Sequence, residues 1–190
     1  TQPFLESLQT RDAHIQAIYP TNSLQQGFIY HALSQPDDDA YRVQLLLAYD
    51  CALNVEAYQE AWRLAIQRYP ILRTWFDWED ELIQVVSKQG YLAWSMHDLR
   101  SELNQEQAIK RIQEEDRSIA FDLTKPTLLR LSLIQLDDEK YIILKTMHHA
   151  ISDGWSVPVL LKQVHDYYQQ LISGRMLKAT EDKVYLRAQE

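Results

Sequence analysis

Cysteine is almost missing from this 190-residue chain. Cys51 stands alone, so no internal disulfide can form, and a reducing, cytoplasmic setting is expected. Its place after a strand-like run and before Ala52-Leu53 suits packing better than nucleophilic work. Glycine is scarce as well, with four residues, and none belongs to a phosphate-cradling loop. Positive charge is in deficit. Nineteen Lys and Arg against 27 Asp and Glu leave a formal charge of −8, which argues against a nucleic-acid partner. No apolar run approaches the ~20 residues of a membrane span, and Thr1-Gln2-Pro3 has neither the basic nor the apolar region of a signal peptide. The missing initiator Met fits a piece of a longer chain. There is no internal repeat and no low-complexity tract. What remains is 46% hydrophobic and 24% charged, the composition of one domain with a sizeable core.

Periodicity divides that domain into alternating elements. Residues 1–20 read as a linker docking onto the domain, 21–174 as the domain, and 175–190 as a polar tail. Helices are expected from Ser23 to about Leu33, Val55 to Arg68, Asn104 to Ser118 and Val157 to Ile172, with Thr21-Asn22-Ser23 and Asn54 as caps and Gly174 as a stop. Strands are expected over Val43–Tyr49, around Trp75, over Leu82–Val86, Tyr91–Met96, Leu128–Leu136 and Tyr141–Met147. Two of the connections read as antiparallel hairpins. The fold class is therefore α/β (α+β), a mixed β-sheet covered by helices mainly on one face.

Chemistry concentrates in His148-His149-Ala150-Ile151-Ser152-Asp153-Gly154, which follows a strand apolar on both faces and precedes a helix opened by Ser156 and Pro158. Successive strand side chains point to opposite faces, so the two histidines cannot both reach one substrate if the strand persists. The same geometry argues against a metal site, since two ligand nitrogens must converge. Imidazole titrates nearest neutrality and suits proton transfer or hydrogen bonding to a nucleophile. Gly27, in the middle of the first helix, costs about 1 kcal/mol relative to Ala. A close backbone, a bound ligand or plain helix packing would each justify it.

The pattern HHxxxDG followed by Trp155-Ser156 resembles the signature of condensation domains of nonribosomal peptide synthetases, relatives of chloramphenicol acetyltransferase. Other stretches match in the family's order. Tyr19-Pro20-Thr21-Asn22-Ser23-Leu24-Gln25-Gln26-Gly27-Phe28-Ile29-Tyr30-His31 is similar to its YPLTPMQEGMLFH motif. Arg68 to Phe76 is similar to RHxxLRTxF, departing at Tyr69 and Pro70, and Phe121-Asp122-Leu123 with Pro126 and Leu128-Leu129-Arg130 to FDLxxxPLLR.

That resemblance implies the N-terminal lobe of a two-lobed domain that joins two carrier-bound thioesters through an amide bond. The implied partners are upstream and downstream peptidyl carrier domains, an adjacent adenylation domain and the C-terminal lobe. No cofactor binds directly; phosphopantetheine is carried by the partner domains. His149 would face the tunnel and bond the attacking amine, His148 would lie deeper and shape the loop, and the Gly154 amide would help hold the oxyanion. Asp153 would fix the loop through an ion pair, with Arg73 or a group in the second lobe as its partner. Gly27, Trp155 and Ser156 would line the tunnel. The TNSLQQGFIYHAL form of the first motif resembles members that take a D-configured donor. Alternatives within the superfamily are a coenzyme A acyltransferase and a non-catalytic docking module. The lobe alone is expected to be inactive.

Overall fold

A strand buried on both faces organises the molecule. It is β7 (Lys140–His148), seventh among the strands of the described residues, and the computed structural model describes residues 6, 8–10, 14–36, 38, 40–152 and 156–189. β7 lies in a four-stranded mixed sheet in the order β2-β7-β6-β5, formed with β2 (Arg42–Tyr49), β5 (Ala93–Asp98) and β6 (Leu129–Asp137). β2 and β6 both run antiparallel to β7, whereas β5 and β6 are parallel and are joined by the helix Gln105–Ser118. Register places Arg42 opposite His148. A second, three-stranded antiparallel sheet has the order β1-β4-β3, with β1 (Ile15–Pro20), β3 (Thr74–Asp77) and β4 (Ile83–Ser87).

Among the described residues from Ser23 onward the helices are α1 (Ser23–Ser34), α2 (Val55–Arg68), α3 (Gln105–Ser118), α4 (Ser156–Ile172) and the short α5 (Val184–Gln189). Asn22, Asn54 and Asn104 cap α1, α2 and α3 by accepting from backbone N–H groups three residues on. Gly174 ends α4 with φ +82, the left-handed conformation such a stop demands. The apolar stripes of α2 (Tyr58, Trp62, Ala65) and α4 (Leu160, Val164) pack with Leu131, Leu133, Ile143 and Met147 in the main core. α3 covers the opposite face, where Ala108 and Ile112 meet Ile134 and Leu144. Strand alternation assigns β7 residues to these two faces in turn.

Three local expectations change. Ile15–Pro20 is not linker but a strand, because pairing with β4 supplies the burial that its mixed sequence does not advertise. The polar tail is fastened to the rest of the fold, since Asp182 N–H donates to Arg68 O (2.8 Å) and Arg68 Nη1 to Thr180 O (2.9 Å). Cys51 is exposed, its loop being anchored through buried Leu53. No helix among the described residues is long and apolar enough to cross a membrane.

Candidate active site

β7 ends at His148, and the chain turns at once into a 3₁₀ turn, His149–Ile151. The two histidines are therefore separated by a change of backbone conformation as well as by strand alternation. His148 is buried, and its Nδ1 accepts from the Ala150 N–H at 3.1 Å, capping the turn. Burial, then the neighbouring His149 and Arg42, pull its pKa down to about 4. His148 is thus neutral near pH 7, with its lone pair on Nδ1 already committed.

A polar layer backs this histidine. Phe121 meets it edge-on (centroids 6.2 Å, 87°), and the Arg130 guanidinium lies 4.2 Å from the centroid of the same Phe121 ring. Arg130 Nε donates to Asp116 Oδ1 at 2.9 Å, while Thr146 Oγ1 and Gln44 Nε2 donate to Asp116 Oδ2. Burial pushes the Asp116 pKa up, but these hydrogen bonds carry it below the usual carboxylate range. Arg42, opposite His148, is spent on the carbonyls of Arg117 (2.6 Å) and Asp38 (3.0 Å).

His149 is half-buried and held differently. Its backbone N–H donates to Tyr41 O at 2.9 Å. Its ring stacks on Phe28 of α1 at 5.0 Å and 32°, and Phe28 in turn lies 4.6 Å from Tyr41. Tyr41 meets His31 nearly at right angles (4.8 Å, 81°), and His31 Nε2 lies 3.2 Å from Asp38 Oδ2. His149 Nδ1 is sealed from solvent and has no hydrogen-bond partner among the described residues. Only Nε2 is left to meet a ligand, so the arrangement offers one oriented nitrogen instead of a convergent pair.

The other expected site residues divide. Ser156 opens α4 and lies 3.3 Å, oxygen to oxygen, from Ser152. Gly27 sits on the exposed face of α1, and a Cβ there would meet nothing within 4 Å, which excludes helix packing as its reason. Asp153, Gly154 and Trp155 lie outside the described residues. Arg73 is a correction. Its five N–H donors go to Glu181 Oε1 (2.8 Å), Gln16 Oε1 (2.8 Å) and the carbonyls of Ile66, Gln67 and Ser87, so none is left for Asp153. Glu181 is separated from it by 108 residues, and no local pattern announces that partner. Tyr41 and Arg42 likewise went unread as site residues, since only the β2–β7 register brings them to the histidines. Phe121 and Arg130 stood in a motif, which was the available signal.

Known proteins resemble this chain in sequence and in fold. A family model described as condensation domain matches residues 15–189. N-(5-amino-5-carboxypentanoyl)-L-cysteinyl-D-valine synthase of Penicillium rubens is 37% identical over 176 residues, covering 90% of this chain and 5% of that protein. Gramicidin S synthase 2 of Brevibacillus brevis is 31% identical over 169 residues, covering 87% and 4%. The chain thus spans 4–5% of the length of these relatives. In fold it is similar to the starter condensation domain of rhizomide synthetase RzmA, with a TM-score of 0.83 over 92% of this chain and 44% of that one, at 17% identity.

Proposed function

This chain belongs to the condensation-domain family, and from that membership we propose that it is the N-terminal lobe of an enzyme forming amide bonds between two carrier-bound thioesters. The observation that carries the proposal is the division of labour in the HHxxxDG turn. One histidine is locked neutral inside, and the other presents a single ring nitrogen from a half-buried, aromatic-backed position. The coverage of 44% of a related condensation domain supports reading the chain as one of two lobes.

In the proposed reaction the acceptor's amine nitrogen attacks the donor's thioester carbonyl. The C–N bond forms, the C–S bond breaks, and the proton lost by the amine leaves with the released thiol. His149 Nε2 accepts a hydrogen bond from the amine and fixes its approach. A neutral amine needs little deprotonation beforehand, so orientation carries most of the advantage. His148 holds the turn and moves no proton. The Gly154 amide assists the oxyanion, and Asp153 fixes the loop. Gly27, Trp155 and Ser156 line the path of the carrier arms. The partners are upstream and downstream carrier domains, an adenylation domain and the second lobe, and the donor is D-configured.

The test loads an upstream carrier with a D- or L-ended dipeptide and a downstream carrier with an amino acid, then follows amide formation by mass spectrometry on the two-lobed domain. A product favouring the D donor is expected. Equal use of both donors would remove the stereochemical part. Carrier binding without any product would favour a docking module instead, and product from free coenzyme A thioesters alone would favour an acyltransferase. On this reading the tunnel needs a wall from each lobe, so the 190 residues by themselves are expected to give no product.

A further inference from the structure

Between the first turns of α4 and the 3₁₀ turn Pro70–Arg73 opens a recess of about 370 Å³, walled by Ile71, Leu72, Met147, Ile151, Val159 and Leu160. We infer that this recess receives the apolar side chain of one of the two amino-acid substrates, an inference that rests on the amide-forming reading above.

Position ties the recess to the reaction. Met147 and Ile151 lie two residues before and two residues after His149, so their Cα atoms are at most about 7.6 Å from its own. The recess thus adjoins the turn that carries the reacting histidine, whose own ring lies outside its wall. Shape points the same way. Leu72, Met147, Ile151 and Leu160 form a floor of buried side chains, whereas Val159 stands at the mouth and is 59% exposed. The volume falls in the range of small-ligand sites, about 300–1,000 Å³, and far exceeds what one water needs.

Chemistry selects the occupant. Among the described residues no charged side chain lines the recess, and the polar groups at its edge belong to Ser156 and Tyr69. A carboxylate or carboxamide placed there would give up its hydration for too few partners. A Val, Leu or Phe side chain loses nothing by entering. Discrimination in such an apolar pocket runs at about tenfold or more per methylene. An open recess with a buried apolar floor beside the reactive turn therefore suits a substrate side chain.

Val159→Trp fills the mouth from an exposed position, and an unchanged melting temperature verifies that the fold survives. The two-lobed domain is assayed with loaded carriers bearing Ala, Leu, Phe or Asp, first on the donor and then on the acceptor. Wild type is expected to prefer Leu or Phe over Asp by at least about tenfold on one of the two sides, which identifies the substrate concerned. Val159→Trp should erase that preference through KM, bringing Leu and Phe down towards Ala and Asp. Equal slowing of every pair, as expected if Val159 meets the second lobe, would overturn the inference. So would an unchanged preference.

A readout without turnover separates this inference from the reading beneath it. With methyl-labelled methionine, assigned by Met147→Leu, pantetheine amides of leucine and aspartate are titrated into the domain. The Met147 methyl signal should move with the leucine amide only, and less in Val159→Trp. A shift without amide formation would retain the recess and sink the proposed reaction. A methyl signal unmoved by either amide would sink the recess whatever the turnover.

Discussion

His148 and His149 are neighbours of one residue type, yet their surroundings give them different chemistry. The low pKa of His148 makes a stability prediction whose sign is fixed by linkage. Folded, it titrates near 4; unfolded, near 6.5. Between those values the unfolded chain binds more protons, so stability is full above about pH 6.5 and drains as pH falls towards 4. The loss attributable to this group is about 3 kcal/mol between pH 7 and pH 4. His148→Asn keeps an acceptor for the Ala150 N–H without the titration. Urea unfolding at the two pH values should show wild type losing about that much more than the variant; equal losses would contradict the assignment. For His149 the relevant neighbour is Phe28, whose ring sets the plane of the imidazole. Phe28→Leu removes a ring contact worth about 0.5–1.5 kcal/mol. It should lower kcat with KM little changed, whereas a rise in KM alone would place Phe28 in substrate binding.

At the scale of elements, α1 carries a glycine that its own packing does not need. Gly27 faces open space, so Gly27→Ala should raise stability by about 1 kcal/mol through helix propensity. If the exposed face of α1 lines the substrate path, the same change slows amide formation. A more stable domain with a lower rate is the expected pair of results, and an unchanged rate would move the path off this face. The segment after α4 offers a second test. Glu181 neutralises the fully buried guanidinium of Arg73, to which Gln16 also bonds. Glu181→Ala leaves that cation without its counter-charge; Glu181 is itself partly exposed, so the expected cost is about 1–3 kcal/mol, below that of a fully buried pair. Denaturant midpoints should reveal it, and a loss below about 0.5 kcal/mol, the range of an ordinary surface substitution, would show the latch to be incidental. These two elements also mark where sequence reading fails. Helices α1 to α4 are legible because a cap or a stop coincides with an apolar stripe, as at Asn54 with Tyr58 and Trp62. β1 and the segment of Glu181 are illegible because their burial comes from partners far away along the chain, Ser87 and Val86 for β1 and Arg73 for Glu181.

For the whole molecule, the histidine turn was readable from residues alone, since a two-faced apolar strand must end somewhere and His148-His149 stand at its end. The two hairpins, β3–β4 and β6–β7, and the mixed character of the larger sheet were readable from alternation. The separate three-stranded sheet was not, because short strands such as Thr74–Asp77 declare pairing but not which sheet they join. The layers around the histidines were readable only as motif letters, as with Phe121 and Arg130, or not at all, as with Tyr41. Register, a property of the assembled sheet, brings them together. We propose that one ring nitrogen of His149 organises amide formation in the two-lobed domain. The most direct measurement is single-turnover amide formation between two loaded carriers, comparing wild type with His149→Ala at matched melting temperature. Loss of that positioning should cost at least about a hundredfold in rate. A variant within about twofold of wild type would contradict the assigned role, since orienting a nucleophile is worth far more.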